Sequence, residues 1–242
     1  MRMSKSRALA YLWCPYKFKL DYIDGLREEQ EIEEGSPLKI GVDLHEIFEK
    51  FYDLEEAKNI EEPYAENIEK IIYENFEDSE KYQNHIKNFS LFNEYLIKKY
   101  GVDNYFPVQR ELEIYNEEYH VVGIIDRVDE HDKRILIDYK TGKSKNVKNY
   151  LFELSLYKYI YEEAGYGRID EVGIYFSQNN QLTLTTLTET DIERSLRILE
   201  LIRQKIKEEY FPKKGGYKCN YCEHKILCDF DDLVRENNGG NY

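Results

Sequence analysis

A helix needs about 20 consecutive apolar residues to cross a bilayer, and this chain of 242 residues holds no such run. That argues against a helical membrane protein. The first five residues also lack the basic-then-apolar pattern of a secretory leader, and the apolar stretch 8–13 soon gives way to charge. The expected location is the cytoplasm. Cysteine is scarce: the four are Cys14, Cys219, Cys222 and Cys228, three of them close together near the C-terminus. Without a secretory leader, such a cluster favours metal over disulfides. Positive charge is in deficit. There are 34 Lys and Arg against 48 Asp and Glu, a net charge of −14, which argues against a broad, non-specific polyanion binder. A local basic channel stays open, because Lys140, Lys143, Lys145 and Lys148 form one group and Lys213, Lys214 and Lys218 another. Read alone, each group is as readily a solvated loop. The acidic excess sits mainly in 28–34 and 55–80. No internal repeat is present, and no Gly-x-x-x-x-Gly-Lys-Ser/Thr loop of an ATPase.

What is present is a change of period along the chain. Residues 5–23 predict a helix, with Leu9, Leu12, Trp13, Tyr16 and Leu20 at helical spacing. Residues 24–38 read as a charged loop. Residues 42–57 predict a second helix with Leu44, Ile47, Phe48, Phe51 and Leu54 as its stripe, and 63–100 reads as helical with breaks. The pattern then alternates, predicting three strands at 108–115, 119–128 and 134–140 as an antiparallel meander. A helix is expected at 148–164, ended by Gly165 and Gly167. Strands follow at 171–177 and 181–187, then a long amphipathic helix at 189–209, a cysteine-bearing segment at 211–230 and a flexible tail at 231–242. The class is α/β, expected as a single domain over 1–242.

The candidate chemistry lies in Gly123-Ile-Ile-Asp126-Arg-Val-Asp129 followed by Ile135-Leu-Ile-Asp138-Tyr-Lys140-Thr-Gly142. Asp138 and Lys140 are two apart, so on a strand both point to one face. Asp126 comes from the neighbouring strand of the hairpin. Two carboxylates at adjacent strand ends make an oxygen-rich site for Mg²⁺ or Mn²⁺, and a lysine beside them can orient a metal-polarised water or stabilise developing negative charge. Charged residues near turns are commonly structural. Here, however, the apolar run Ile135 to Ile137 implies a buried strand, whose charged end needs a partner or a metal.

These segments resemble the PD-(D/E)XK nuclease superfamily, specifically its RecB-like exonuclease branch. Further matches run along nearly the whole chain. Gly41-x-x-x-His45-x-x-x-Glu49 resembles the helical motif whose histidine is a metal ligand, although a lone helical histidine is more often packed or exposed. Arg110-Glu111 resembles the charged element that stands before the acidic pair. Glu153-Leu154-Ser155-Leu156-Tyr157 resembles the Gln-Leu-x-x-Tyr helix that contacts water or the scissile phosphate, with Glu153 in place of Gln. That carboxylate could bind a second metal, donate when protonated, or repel phosphate. Leu154 and Tyr157, taken alone, read as packing on an amphipathic helix.

The resemblance implies a restriction-endonuclease-like core, a central mixed sheet flanked by helices, over 105–190, with a helical region at 42–100. It implies hydrolysis of phosphodiester bonds in DNA, at single-stranded ends, with Asp126, Asp138, Lys140, Glu153 and Tyr157 catalytic. His45, Asp126, Asp138 and the Tyr139 carbonyl are the implied metal ligands. Tyr139 and Tyr150 are candidate rings for stacking on bases, and the 143–148 loop a candidate phosphate contact. The spacing Cys219-x-x-Cys222-x₅-Cys228 with Cys14 resembles the iron–sulfur staple of AddB-type and CRISPR-associated RecB-like exonucleases, which would join 1–23 to 211–230. Four thiolates suit a [4Fe–4S] cluster and equally Zn²⁺, with His224 as a substitute ligand; the resemblance favours iron–sulfur. The implied settings are DNA recombination and repair, or CRISPR spacer processing with an integrase or helicase partner. The alternatives are a subunit active only in a complex and a weakened DNA-end-binding structural protein.

Overall fold

The structure, a computed structural model, describes residues 1–27, 33–143 and 145–229. The expected tail at 231–242 and the middle of the 24–38 loop lie outside the described residues. In chain order come β1 (Met3–Ser4), α1 (Lys5–Trp13), α2 (Pro15–Tyr22), α3 (Pro37–Lys50), α4 (Glu55–Lys58), α5 (Tyr64–Asn75) and α6 (Gln83–Tyr100). Then follow β2 (Gln109–Asn116), β3 (Val121–Glu130), β4 (Arg134–Lys140), α7 (Leu151–Glu163), β5 (Glu171–Phe176), β6 (Gln181–Thr185) and α8 (Glu189–Lys207). Two units divide this order: Met1–Arg2 with Glu31–Arg197, and Met3–Gln30 with Ile198–Tyr242. No helix of the described residues is long and apolar enough to cross a membrane.

In the first unit β2 to β6 lie side by side in chain order. All pairs are antiparallel except β4 with β5, which is parallel. A parallel pair needs a crossover, and α7 supplies it. Gly123 shows how closely α7 approaches: a Cβ there would come within 2.6 Å of Ile160 Cδ1 and 3.0 Å of the Tyr157 ring. The expected mixed sheet flanked by helices is therefore observed. Helix α3 starts earlier than the apolar stripe predicts. Ser36 caps it by accepting from the Lys39 amide at 3.2 Å, and Pro37 occupies the first turn, where a missing N–H costs nothing. Its buried face, Leu44, Ile47 and Phe48, joins α5, α6, Ile137, Tyr139 and Tyr175 in one core, in which Phe48 stacks on Phe89 at 4.1 Å.

The predicted helix at 5–23 is two helices. Cys14 has extended backbone (φ −158°, ψ 109°) and Pro15 opens α2. The proline ring disfavours helical backbone at the residue before it, and apolar spacing alone does not register that. In this second unit Tyr11 donates to the Tyr210 carbonyl at 2.6 Å, Lys214 to that of Leu12 at 2.9 Å, and Phe18 and Phe211 stack at 6.5 Å. Residues from both ends of the sequence thus meet within one unit.

Arg127 is wholly buried in the first unit. Its Nε donates to Asp129 at 2.7 Å, Nη1 to the hydroxyls of Tyr52 and, at 3.3 Å, Tyr139, and Nη2 to the Tyr105 carbonyl at 3.2 Å. Tyr52 in turn donates to Asn93 Oδ1 at 2.6 Å. Burial opposes the guanidinium charge, and the adjacent Asp129 carboxylate holds it protonated. Removing one member of such a pair strands the other charge. Arg127→Met is expected to cost about 3–5 kcal/mol in urea unfolding, with Asp129→Leu in the same chain recovering most of the loss. Equal stability of wild type and Arg127→Met would show that the pair does not hold the core.

Candidate active site

The sheet register brings carboxylates from three strands into one row. β2 and β3 pair Arg110 with Arg127 and Leu112 with Ile125, which leaves Glu111 across from Asp126. β3 and β4 pair Arg127 with Ile137, and the next step sets Asp126 beside Asp138. Glu111 has φ +40°, a conformation that costs a non-glycine residue roughly 1–3 kcal/mol and clusters at functional sites. Helix α3 adds His45, whose Nδ1 lies 3.3 Å from Glu111 Oε1 and 3.7 Å from Asp126 Oδ1. His45, Glu111 and Asp126 each offer a ligand atom within 4.8 Å of the others.

Asp138 and Lys140 share a face, as strand alternation requires. The ammonium pairs with Asp138 and stands 3.3 Å from Glu153 Oε1 on α7. Buried Tyr157 lies one helical turn after Glu153. Burial, then the charges of Asp138 and Asp126, push its phenol well above the ordinary range, so it stays neutral. Burial first, and then the charge of Asp138, also push the Asp126 carboxyl up to about 7. For His45, burial disfavours the charged ring, but the hydrogen bond to Glu111 and the charges of Asp126 and Asp138 outweigh it and raise its pKa. The row thus holds more negative charge than its own cations balance.

His45, Asp126, Asp138, Lys140, Glu153 and Tyr157 therefore belong to one site. Tyr139 divides its groups: its N–H donates to Asp126 Oδ2 at 2.6 Å, while its ring is buried against Arg127 and His45. A ring 4% exposed cannot stack on bases, because position 139 faces the helical core when 138 and 140 face the site. Tyr150 is half-buried, its ring 5.8 Å from the Lys140 ammonium. Glu111 is the member whose weight was not legible in sequence. Its neighbour Arg110 instead holds the Glu49 carbonyl at 2.5 Å and Asp53 at 2.8 Å, fastening the end of α3.

The chain matches the PD-(D/E)XK nuclease superfamily over residues 2–229. It belongs to that superfamily. Among solved structures it is similar to a protein of Eubacterium rectale described as a "Putative exonuclease", with 14% identity, 93% of this chain and 87% of the other covered, and a TM-score of 0.55. That likeness concerns the fold. A search of curated proteins finds no match. PD-(D/E)XK nucleases use divalent metals, and the donor set fits one. It is a hard carboxylate and imidazole group in which burial and the charge of Asp138 raise the Asp126 carboxyl to about 7.

The four cysteines lie in the second unit. All are half-buried, and they line one cavity of about 230 Å³ together with Lys17, Lys213, Lys214 and Lys225. Cys14 owes its place to the break before Pro15. His224 turns to Asp21, 2.6 Å away, with both side chains buried. Asp21, Glu223 and His224 also converge, but Lys17 sits 2.6 Å from both carboxylates and already supplies a cation there.

The raised Asp126 and His45 values set the pH dependence of the metal-free PD-(D/E)XK protein. A carboxyl that folds with its pKa raised contributes stability in full below its unfolded value of 3.8 and loses it as pH rises towards 7. The histidine contribution is full below 6.5 and is lost above it. The melting temperature in EDTA is therefore expected to fall between pH 5 and pH 8. Mn²⁺ should restore more at pH 8 than at pH 5, and Asp126→Asn should flatten the EDTA profile. A pH-independent melting temperature in EDTA would contradict this charge distribution.

Proposed function

We propose that this chain is a metal-dependent DNA exonuclease acting at single-stranded ends. The observation that carries the reading is the placement of Lys140 between Asp138 and Glu153, beside the His45, Glu111 and Asp126 group. His45, Glu111, Asp126 and Asp138 would hold Mg²⁺ or Mn²⁺, with the Tyr139 carbonyl as a further oxygen donor. When bound, the metal polarises a phosphoryl oxygen and lowers the pKa of a coordinated water. Lys140 orients the attacking water and offsets negative charge as it develops on the phosphoryl oxygens. Glu153 shares the Lys140 ammonium, so its carboxylate aims the lysine into the site. Neutral Tyr157 closes the wall behind it. Lys143, Lys145 and Lys148 are exposed just beyond β4 and suit phosphate contacts. Fitting settings are recombination and repair or CRISPR spacer processing. Because the sequence lacks an ATPase loop, any unwinding would come from a partner.

We also infer a [4Fe–4S] cluster on Cys14, Cys219, Cys222 and Cys228. The lysine-rich lining compensates the charge of four thiolates. Four thiolates complete the shell of such a cluster, and it would tie a long loop closed.

Incubation of end-labelled single-stranded DNA with Mn²⁺ is expected to give stepwise shortening by wild type and none by Lys140→Ala. Circular single strands should stay intact; their cleavage would replace the exonuclease reading with an endonuclease one. Anaerobically purified protein is expected to be brown and to bleach with dithionite. Colourless protein with stoichiometric zinc would overturn the cluster.

A further inference from the structure

The end of β4 that carries Lys140 is held unevenly. On the β3 side, backbone pairing stops at Arg127 with Ile137, and beyond it the Tyr139 N–H goes to the Asp126 side chain rather than to β3 backbone. On the other side the parallel ladder with β5 continues through Tyr139 with Tyr175 and Lys140 with Phe176. One residue further, the Ser177 N–H donates to the Lys140 carbonyl at 3.0 Å. The backbone of Lys140 is therefore placed by the end of β5.

That end is gripped by side chains from the first two turns of α6. Asn88 Nδ2 donates to the Ser177 carbonyl at 2.7 Å, and Asn84 Nδ2 to that of Gln178 at 2.9 Å. His85 Nδ1 lies 2.8 Å from the hydroxyl of Ser177, which is itself fully buried and 3.4 Å from the Lys140 carbonyl. The three residues stand at i, i+1 and i+4, one side of a helix whose other side is core.

We propose that His85 and Asn88 are positioning residues for Lys140, acting through Ser177. This rests on the reading of Lys140 as the water-orienting group. An ammonium on a flexible stem works only if its backbone anchor is fixed, and small misplacements at a reacting centre are costly. The His45, Glu111 and Asp126 group is built on α3, β2 and β3, away from this clamp, and Asp138 and Tyr139 are held by their own pairing with Ile174 and Tyr175.

The test is steady-state cleavage of end-labelled single-stranded DNA by wild type, His85→Leu, His85→Asn and Asn88→Ala, with Mn²⁺ titrated and melting temperatures measured in parallel. His85→Leu and Asn88→Ala are expected to lower kcat about tenfold to a hundredfold. KM for DNA and half-saturating Mn²⁺ should stay unchanged, and each variant should remain folded at the assay temperature. His85→Asn, whose amide mimics Nδ1, should keep most of the wild-type kcat. Wild-type kcat in both disruptive variants overturns the proposal, as does a loss of kcat accompanied by weakened Mn²⁺ affinity or by unfolding. An inactive wild type would overturn the nuclease reading and this inference together, whereas active wild type with indifferent variants overturns this inference alone.

Discussion

A guanidinium stripped of water must find partners for its charge and its donors, and Arg127 meets that demand by drawing several elements to one point. Asp129 on its own strand balances the charge; Tyr52, Tyr105 and Tyr139 accept from its nitrogens. These acceptors come from the turn after α3, the segment before β2, and β4, while Asn93 of α6 completes the chain of bonds. Burial of an unsatisfied polar group is expensive, so the helical layer and the sheet cannot slide past one another without breaking this network. Residue 126, its neighbour in sequence, is the central carboxylate of the site. The position of Asp126 is thus set by what Arg127 must satisfy.

The site itself is a concentration of negative charge that folding alone does not favour. Glu111, Asp126 and Asp138 are brought together by strand register, and Asp126 responds by taking up a proton more readily than an ordinary carboxyl. Register is specified by the buried residues of each strand, so hydrophobic packing supplies the force that holds like charges together. An arrangement of this kind is stable when a cation is present, which is how a divalent-metal enzyme of the PD-(D/E)XK superfamily couples its fold to its chemistry.

The two units carry donor sets of different hardness. The first offers carboxylates and an imidazole, suited to Mg²⁺ or Mn²⁺; the second offers thiols among lysines, suited to a softer centre. The first set suits the divalent metal that PD-(D/E)XK nucleases use, and the second brings together cysteines distant in sequence.

Much of this was legible from residue order. Strand alternation placed Asp138 and Lys140 on one face and the hairpin supplied Asp126, because periodicity and short separations are local properties of a chain. The break at Cys14 was equally local, but apolar spacing concealed the constraint that Pro15 imposes. The weight of Glu111 was not legible, since it depends on a left-handed backbone and on which β3 residue lies opposite. Nor was the burial of the Tyr139 ring, or the reach of His85 and Asn88 to the end of β5. The sequence by itself determined which residue types stand at strand ends and helix faces. Only the tertiary structure decided which of them meet, because such contacts join residues tens of positions apart, through strand register and helix docking that no local pattern encodes.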